Sequence, residues 1–473
     1  MIIKKIKKRG YILIQVIIFA SISTYILGAL ISWAATDIKA SKQAADRELA
    51  IQIAEAGIDY YRWHLAHAPT DYQDGTEQTS TYIHDFLDKN GTAIGQFALD
   101  ITPPPLGSSL VTIRSTGSVL KTPNLTRTIQ VKLAKPSMAK FAVVANDYMR
   151  FGEGTEVFGP IHSNKGIRFD GLAHNIVSSS VITANDPDHT GNEEFGVHTH
   201  VTPTDPLPPA SIPDRSDIFE TGRAVGISET DFDGITGDIS QIKTLAQEAT
   251  GFWRAGSGAL GYHVILKTND TFDLKQVNTI TTVSSCSEKW SIGTETLLGN
   301  FPFPANGIIF LEDHIWVDGK IDSGKLTIVA ATLPENASTL RNIIVNNDLL
   351  YTKYDGTDVI GLIAQNNILV GLVSEDDLRI DSALMAQKGK VARLSYSQSC
   401  SSTYYTRQTI TLWGMIASNV RYGFAWVNIS TNQFISGYVN RILYYDSNLL
   451  YSPPPSFPLT SDQYVTLSWE EIK

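Results

Sequence analysis

The chain is poor in cysteine, in charge and in catalytic signatures. Only two cysteines, Cys286 and Cys400, stand among 473 residues. No CxxC pair and no Cys/His metal spacing is present, which argues against a structural zinc module. If the body is exported, Cys286 and Cys400 are candidates for a disulfide, although sequence separation alone does not bring two Cβ atoms together. Charged residues make up 18% of the chain, below the usual quarter, while 42% is hydrophobic, enough for a packed core. The net charge is −10 even though the first ten residues carry five Lys or Arg and no acid. So acidic a body repels phosphate, and nucleic acid is not an expected partner. No nucleophile elbow, P-loop, GxGxxG or HExxH occurs. The densest carboxylates are Glu375-Asp376-Asp377 and Glu470-Glu471. Neighbours on a strand point to opposite faces, so these runs do not form a catalytic pair by themselves. The expectation is therefore a protein that is not an enzyme and needs no cofactor. The rival is a membrane-tethered β-solenoid enzyme acting on polysaccharide.

What is present begins with MIIKKIKKRGYILIQV. A basic stretch ends at Gly10, and residues 11–35 follow without one charge. About 20 apolar residues in a helix cross the hydrocarbon core, so this segment has the length to span a membrane. The positive-inside rule puts the basic end in the cytoplasm and everything after Ala35 outside. An ordinary cleaved signal peptide is the simpler alternative, but the apolar run is long for one. The helical pattern also continues past it. Leu49, Ile53, Ala56, Tyr60 and Trp63 recur at three and four, and Pro69 ends the run. One helix of about 57 residues, roughly 85 Å long, is expected.

The basic leader, Gly10, aromatic Tyr11, long apolar helix and the stretch Ala50, Gln52, Ala54, Glu55, Ala56, Gly57 resemble type IV pilins and pseudopilins. Within them the likeness is to minor pilins and the tip pseudopilin. It covers about the first 70 residues. It implies a class III leader cut by prepilin peptidase between Gly10 and Tyr11, with N-methylation of Tyr11. It implies a single-pass protein of the cytoplasmic (inner) membrane, drawn by a pilus assembly platform into a filament of bundled helices. The partners are then other pilin subunits, through the N-terminal helix. Most major pilins carry Glu at the fifth mature position, where this chain has Gln15. The family's carboxylate is thought to neutralise a neighbouring terminal ammonium; an amide cannot. Gln15 therefore points to a minor or tip seat, with a host, glycan or other surface ligand as a further partner of the ectodomain.

The rest of the chain reads as β-structure. The fold class expected is α+β: a long N-terminal transmembrane helix, a pilin-like antiparallel β-meander, then a mainly-β, solenoid-like ectodomain. The expected divisions are a leader at 1–10 and a helix at 11–68 with its transmembrane half at 11–35. A meander at 69–137 follows, behind a linker at 72–85. The solenoid covers 138–437 with an inserted helix at about 238–250, and a surface strap and final strand cover 438–473. Three alternating runs, 94–102, 110–119 and 125–133, build the meander, packed on Ile53, Ala56 and Tyr60. Short strands with Asn and Gly corners suggest stacked coils, with a sandwich as the alternative. Asp186 to Asp214 reads as a polar, Pro-rich loop. His198 and His200 alternate, so on a strand they face one way, near Asp186, Asp188, Glu193 and Glu194. A metal site on Asp186, Asp188, His198 and His200, or calcium on Asp186, Asp188 and Asn192, is weighed against a solvated loop. The loop is preferred and no metal is expected.

Overall fold

The computed structural model describes residues 11–76, 81–104, 109–188, 191–232, 235–281, 290–428, 431, 433–450, 452–459 and 463–472. The leader 1–10, including Gly10, and Cys286 lie outside the described residues. The chain forms two compact units. One runs up to Pro103 and adds Val111–Leu133 and the residues from Thr466; the other is Pro104–Leu110 with Ala134–Val465.

In the first unit, helix α1 runs Tyr11–His67 without a break. No proline interrupts it, and Pro69 stops it just after the Ala68 amide bonds to His64 O. Its two halves differ sharply. Every residue from Tyr11 to Ala45 is exposed, whereas Ala50, Ile53, Ala54, Gly57, Ile58, Tyr61 and Leu65 are buried. They pack on an antiparallel sheet of β1 (Tyr82–Leu87), β2 (Ala93–Thr102), β3 (Val111–Val119) and β4 (Thr122–Ala134). A fifth strand, Val465–Ile472, joins the edge beside β4. The structure corrects two expectations here. Part of the 72–85 linker is strand β1. The buried helix stripe is also turned one position away from the anticipated one: Ala56 and Tyr60 are only half-buried and Trp63 is exposed. The stripe is set by small residues, because the helix backbone touches the sheet. A Cβ on Gly117 would lie 2.1 Å from Ala50 O, and one on Gly57 would lie 2.3 Å from Ser115 Oγ.

The second unit is a β-solenoid of short parallel strands. On one face the stacking order is 252–254, 308–311, 325–330, 359–364, 383–386, 415–418, 143–145, 161–163 and 177–179. One inward column reads Phe252, Ile309, Ile328, Leu362, Leu384, Ile416, Val143, Ile161, Val177. Each buried member contributes about 1.5–3 kcal/mol of apolar burial. The order is not the chain order. The earliest coils stack beyond the latest ones, Val143 pairing with Ile416. After Ala224 the chain therefore re-enters at the opposite end of the stack, where Phe252–Arg254 begins the climb. An antiparallel pair, Thr271–Val277 and Glu295–Pro302, continues the sheet from Gly261–Leu266 at that end.

The outward side of the same face carries Phe310, Val329, Ile363, Met385, Ala417 and Val144. Helix α2 (Ile235–Gln247) covers it with Ile239, Ile242 and Ala246, and Leu449 and Phe457 add to the same cluster. The helix thus runs Ile235–Gln247 where about 238–250 is expected, starting and ending three residues earlier. The boundary at 437 is also corrected. Phe434–Tyr445 is one strand of the solenoid, Tyr438 being wholly buried, and the strap starts after it. Pro453-Pro454-Pro455 is not a surface strap but buried, with Pro455 O accepting from Thr327 Oγ1 and Pro454 against Gly361.

Candidate functional site

Tyr11 begins helix α1 and is 72% exposed, and Gln15 is exposed four residues on. The 11–35 segment belongs to a helix long and apolar enough to cross a membrane. The Ala50–Gly57 stretch has a clear geometric meaning. Ala50, Ala54 and Gly57 face the sheet, while Gln52 and Glu55 are exposed. Small residues on the contact side let the strand backbone at Gly117 approach the helix backbone, and polar ones face outward.

The anticipated polar loop is a built polar cluster instead. Asp186, Glu194, His198 and His200 bring one donor atom each within 4.8 Å of one another. His198 lies on the short strand Val197–His198, which pairs with Ile167–Phe169, so His200 two residues on reaches the same side. A two-strand ladder, Thr183–Ala184 with Glu194–Phe195, brings Glu194 back beside them. Its carboxylate meets His198 Nε2 at 2.9 Å and His200 Nε2 at 2.6 Å. Burial works to raise the Glu194 pKa, but the two imidazoles outweigh it and hold the carboxyl far below its ordinary range. Tyr148 Oη stands 3.2 Å from His198 Nε2; burial and then the Asp186 and Glu194 charges push that phenol up. Around this lies a second layer. Arg168 reaches Asp170 at 2.7 Å and Asp186 at 3.4 Å, and Asp170 accepts from the His200 amide.

Of the four candidates Asp186, Asp188, His198 and His200, three converge. Asp188 does not: it is clamped by Arg150 and Arg421 at 2.9 and 2.8 Å, which overcome burial and lower its pKa to about 2. Glu194 takes its place, a residue whose nearness in sequence was visible but whose return through the ladder was not. Asn192 is exposed.

The remaining candidates separate. Cys400 is disulfide-bonded, and the chain's other cysteine is Cys286. Glu375 stands beside Asp348, and burial followed by that neighbour raises its pKa. Asp376 turns to Arg407, and Asp377 is exposed. Glu470 and Glu471 bond to Gln130 and Arg127 of β4, an inter-strand contact. His263 sits between Glu295 and Asp318 at 2.8 and 3.1 Å; burial opposes its charged form, but the two carboxylates win and raise its pKa. Tyr422 and Tyr438 are core, and Trp426 is exposed.

No family model and no curated protein matches the chain. Among solved structures it is similar to the competence-associated pilin ComZ from Thermus thermophilus, at 10% identity and a TM-score of 0.31, covering 90% of this chain and 98% of that one. It is also similar to an ice binding protein from an Antarctic biological consortium, at 10% identity and a TM-score of 0.24, covering 65% of this chain and 91% of that one. Scores this low carry no weight on function. The architecture itself is plain: a long apolar N-terminal helix followed by a large, mostly-β body.

Proposed function

We propose that this chain is a minor subunit of a type IV pilus-like filament, seated at or near its tip. One observation carries the reading. Helix α1 is a single rigid element whose second half is packed on its own sheet and whose first half, Tyr11 to Ala45, has no cover at all. An uncovered apolar half-helix needs lipid, and on leaving lipid it needs other helices. A leader ending at Gly10 and cut by prepilin peptidase supplies the switch, since removing five basic residues lowers the cost of drawing that end out of the bilayer. Gln15 supports the special seat: in a helix bundle an amide hydrogen-bonds without neutralising a terminal ammonium. The ectodomain then lies outside the cell and contacts a surface, a host or a glycan, and does no chemistry.

Mass spectrometry of the chain from membranes and from sheared filaments tests this. The expected N-terminus is N-methyl-Tyr11 in both. An intact Met1, or a chain starting near Ala35, refutes it. The polysaccharide-enzyme rival rests on the Glu375–Asp348 neighbourhood; purified full chain is expected to leave a panel of acidic and neutral glycans uncut.

A further inference from the structure

We infer that Asp186, Glu194, His198 and His200 form a closed structural site for one divalent transition ion of the zinc class. It goes beyond the filament reading and does not depend on it.

The donor set comes first. Two imidazole nitrogens and two carboxylates suit a borderline ion such as Zn²⁺, whereas Ca²⁺ and Mg²⁺ take oxygen ligands almost alone. A tetrahedral ion with bonds near 2.1 Å needs ligand atoms about 3.4 Å apart. The four donors lie within 4.8 Å of one another, and both imidazoles already touch the Glu194 carboxylate. Small side-chain adjustments therefore reach the geometry.

Ligand orientation is the second, independent observation. His198 is 1% exposed, and its Nδ1 lies 2.8 Å from Phe195 O. A carbonyl only accepts, so Nδ1 carries a hydrogen toward Phe195 O and the ring's other nitrogen, Nε2, points into the cluster. There Nε2 faces a Glu194 oxygen and the Tyr148 hydroxyl. A backbone carbonyl behind a histidine is the outer-layer arrangement that orients metal ligands. Asp186 is held in the same way, by Arg168 and by the Asp188 amide at 2.8 Å. Asp170 fixes the His-Thr-His backbone through the His200 amide at 2.8 Å.

Burial decides the role. Asp186 is wholly buried and Glu194 and His198 nearly so. A site closed by four protein ligands has no open position for substrate, and it ties Asp186 and Glu194 to the strand Val197–His198, which itself pairs with Ile167–Phe169.

The test uses untagged full-length chain in detergent, loaded with Zn²⁺, passed through a desalting column and measured by elemental mass spectrometry. About one zinc per chain is expected in the parent, near zero in His198→Ala and Glu194→Gln, and about one in the control His174→Ala. X-ray absorption on the loaded parent is expected to give imidazole and oxygen neighbours with no sulfur. Chelation is expected to speed protease cleavage within 183–205 in the parent. A parent that retains less than about a tenth of an equivalent overturns the proposal, and that result needs no variant to fold. Equal zinc in His198→Ala and parent also overturns it, by placing the ion elsewhere.

Discussion

Replacing Gly117 by alanine tests the helix–sheet contact on which the first unit depends. The added methyl carbon would lie 2.1 Å from Ala50 O, 2.6 Å from Ala54 N and 3.2 Å from Ala50 C. These are backbone atoms of helix α1, so no side chain can swing aside. The helix must lift by about 1 Å, uncovering Ile53, Tyr61 and Leu65. Overpacking of this kind costs about 1–3 kcal/mol, and a backbone obstacle puts it toward the upper end. At about 4 °C per kcal/mol for a unit of this size, melting falls by roughly 8–12 °C. Hydrogen exchange of peptides from β2 and β3 in full-length chain localises the loss. Two controls sharpen it. Gly28→Ala meets no atom within 4 Å and is expected to leave those peptides unchanged. Adding Ala50→Gly to Gly117→Ala is expected not to restore stability, because the collision is with the carbonyl. Unchanged protection in Gly117→Ala, or full rescue by Ala50→Gly, refutes the backbone-contact reasoning.

Two further predictions concern the solenoid. His162 is buried between the Ser178 and Ser180 hydroxyls and stacks on Phe141, and burial pushes its pKa down from 6.5 to about 4. The unfolded ring takes up its proton near pH 6.5 and the folded ring only near 4. Stability from this group is therefore full above 6.5 and falls by about 3 kcal/mol as pH drops to 4. Denaturant melts at pH 7, 5.5 and 4.5 are expected to show that fall in the parent and a shallower one in His162→Gln; equal slopes refute it. Thr327→Val removes the donor to Pro455 O in a buried segment, a loss of about 1–3 kcal/mol, read as faster proteolysis within 447–459.

Local elements of this chain are legible in its sequence and distant pairings are not, for physical reasons. Period 3.6 and the lack of proline make α1 legible from Tyr11 to Pro69, because a helix is local. The buried stripe lies one position away from the one its large apolar residues mark. Large apolar residues mark a stripe that packs on side chains, but here Ala50, Ala54 and Gly57 are buried because a glycine strand comes close. The inserted helix is legible from Ile239, Ile242 and Ala246, although both its ends lie about three residues earlier than expected. Strand β1 is not legible in the sequence because YIHDFL shows little apolar alternation and is a half-exposed edge. The proline strap looked like surface, since nothing local shows that Gly307 and Gly361 leave room for it. In the cluster, the His-x-His alternation gave two donors. Glu194 and Asp188 are equally plausible in sequence; the 183–184/194–195 ladder brings Glu194 in, while Arg150 and Arg421 hold Asp188 away.

The sequence by itself determined the long helix, its uncharged first half, the basic stretch before it and the β character of the body. These rest on periodicity, hydropathy and turn residues, which act over a few positions. Only the tertiary structure decided that the earliest coils stack beyond the latest, that Val465–Ile472 completes the first sheet, and that four polar side chains close on one point. Each of these is a pairing between distant segments. Parallel rungs tolerate many aliphatic neighbours, so the strands themselves do not encode which rung comes next; the connections and the small residues at close contacts do.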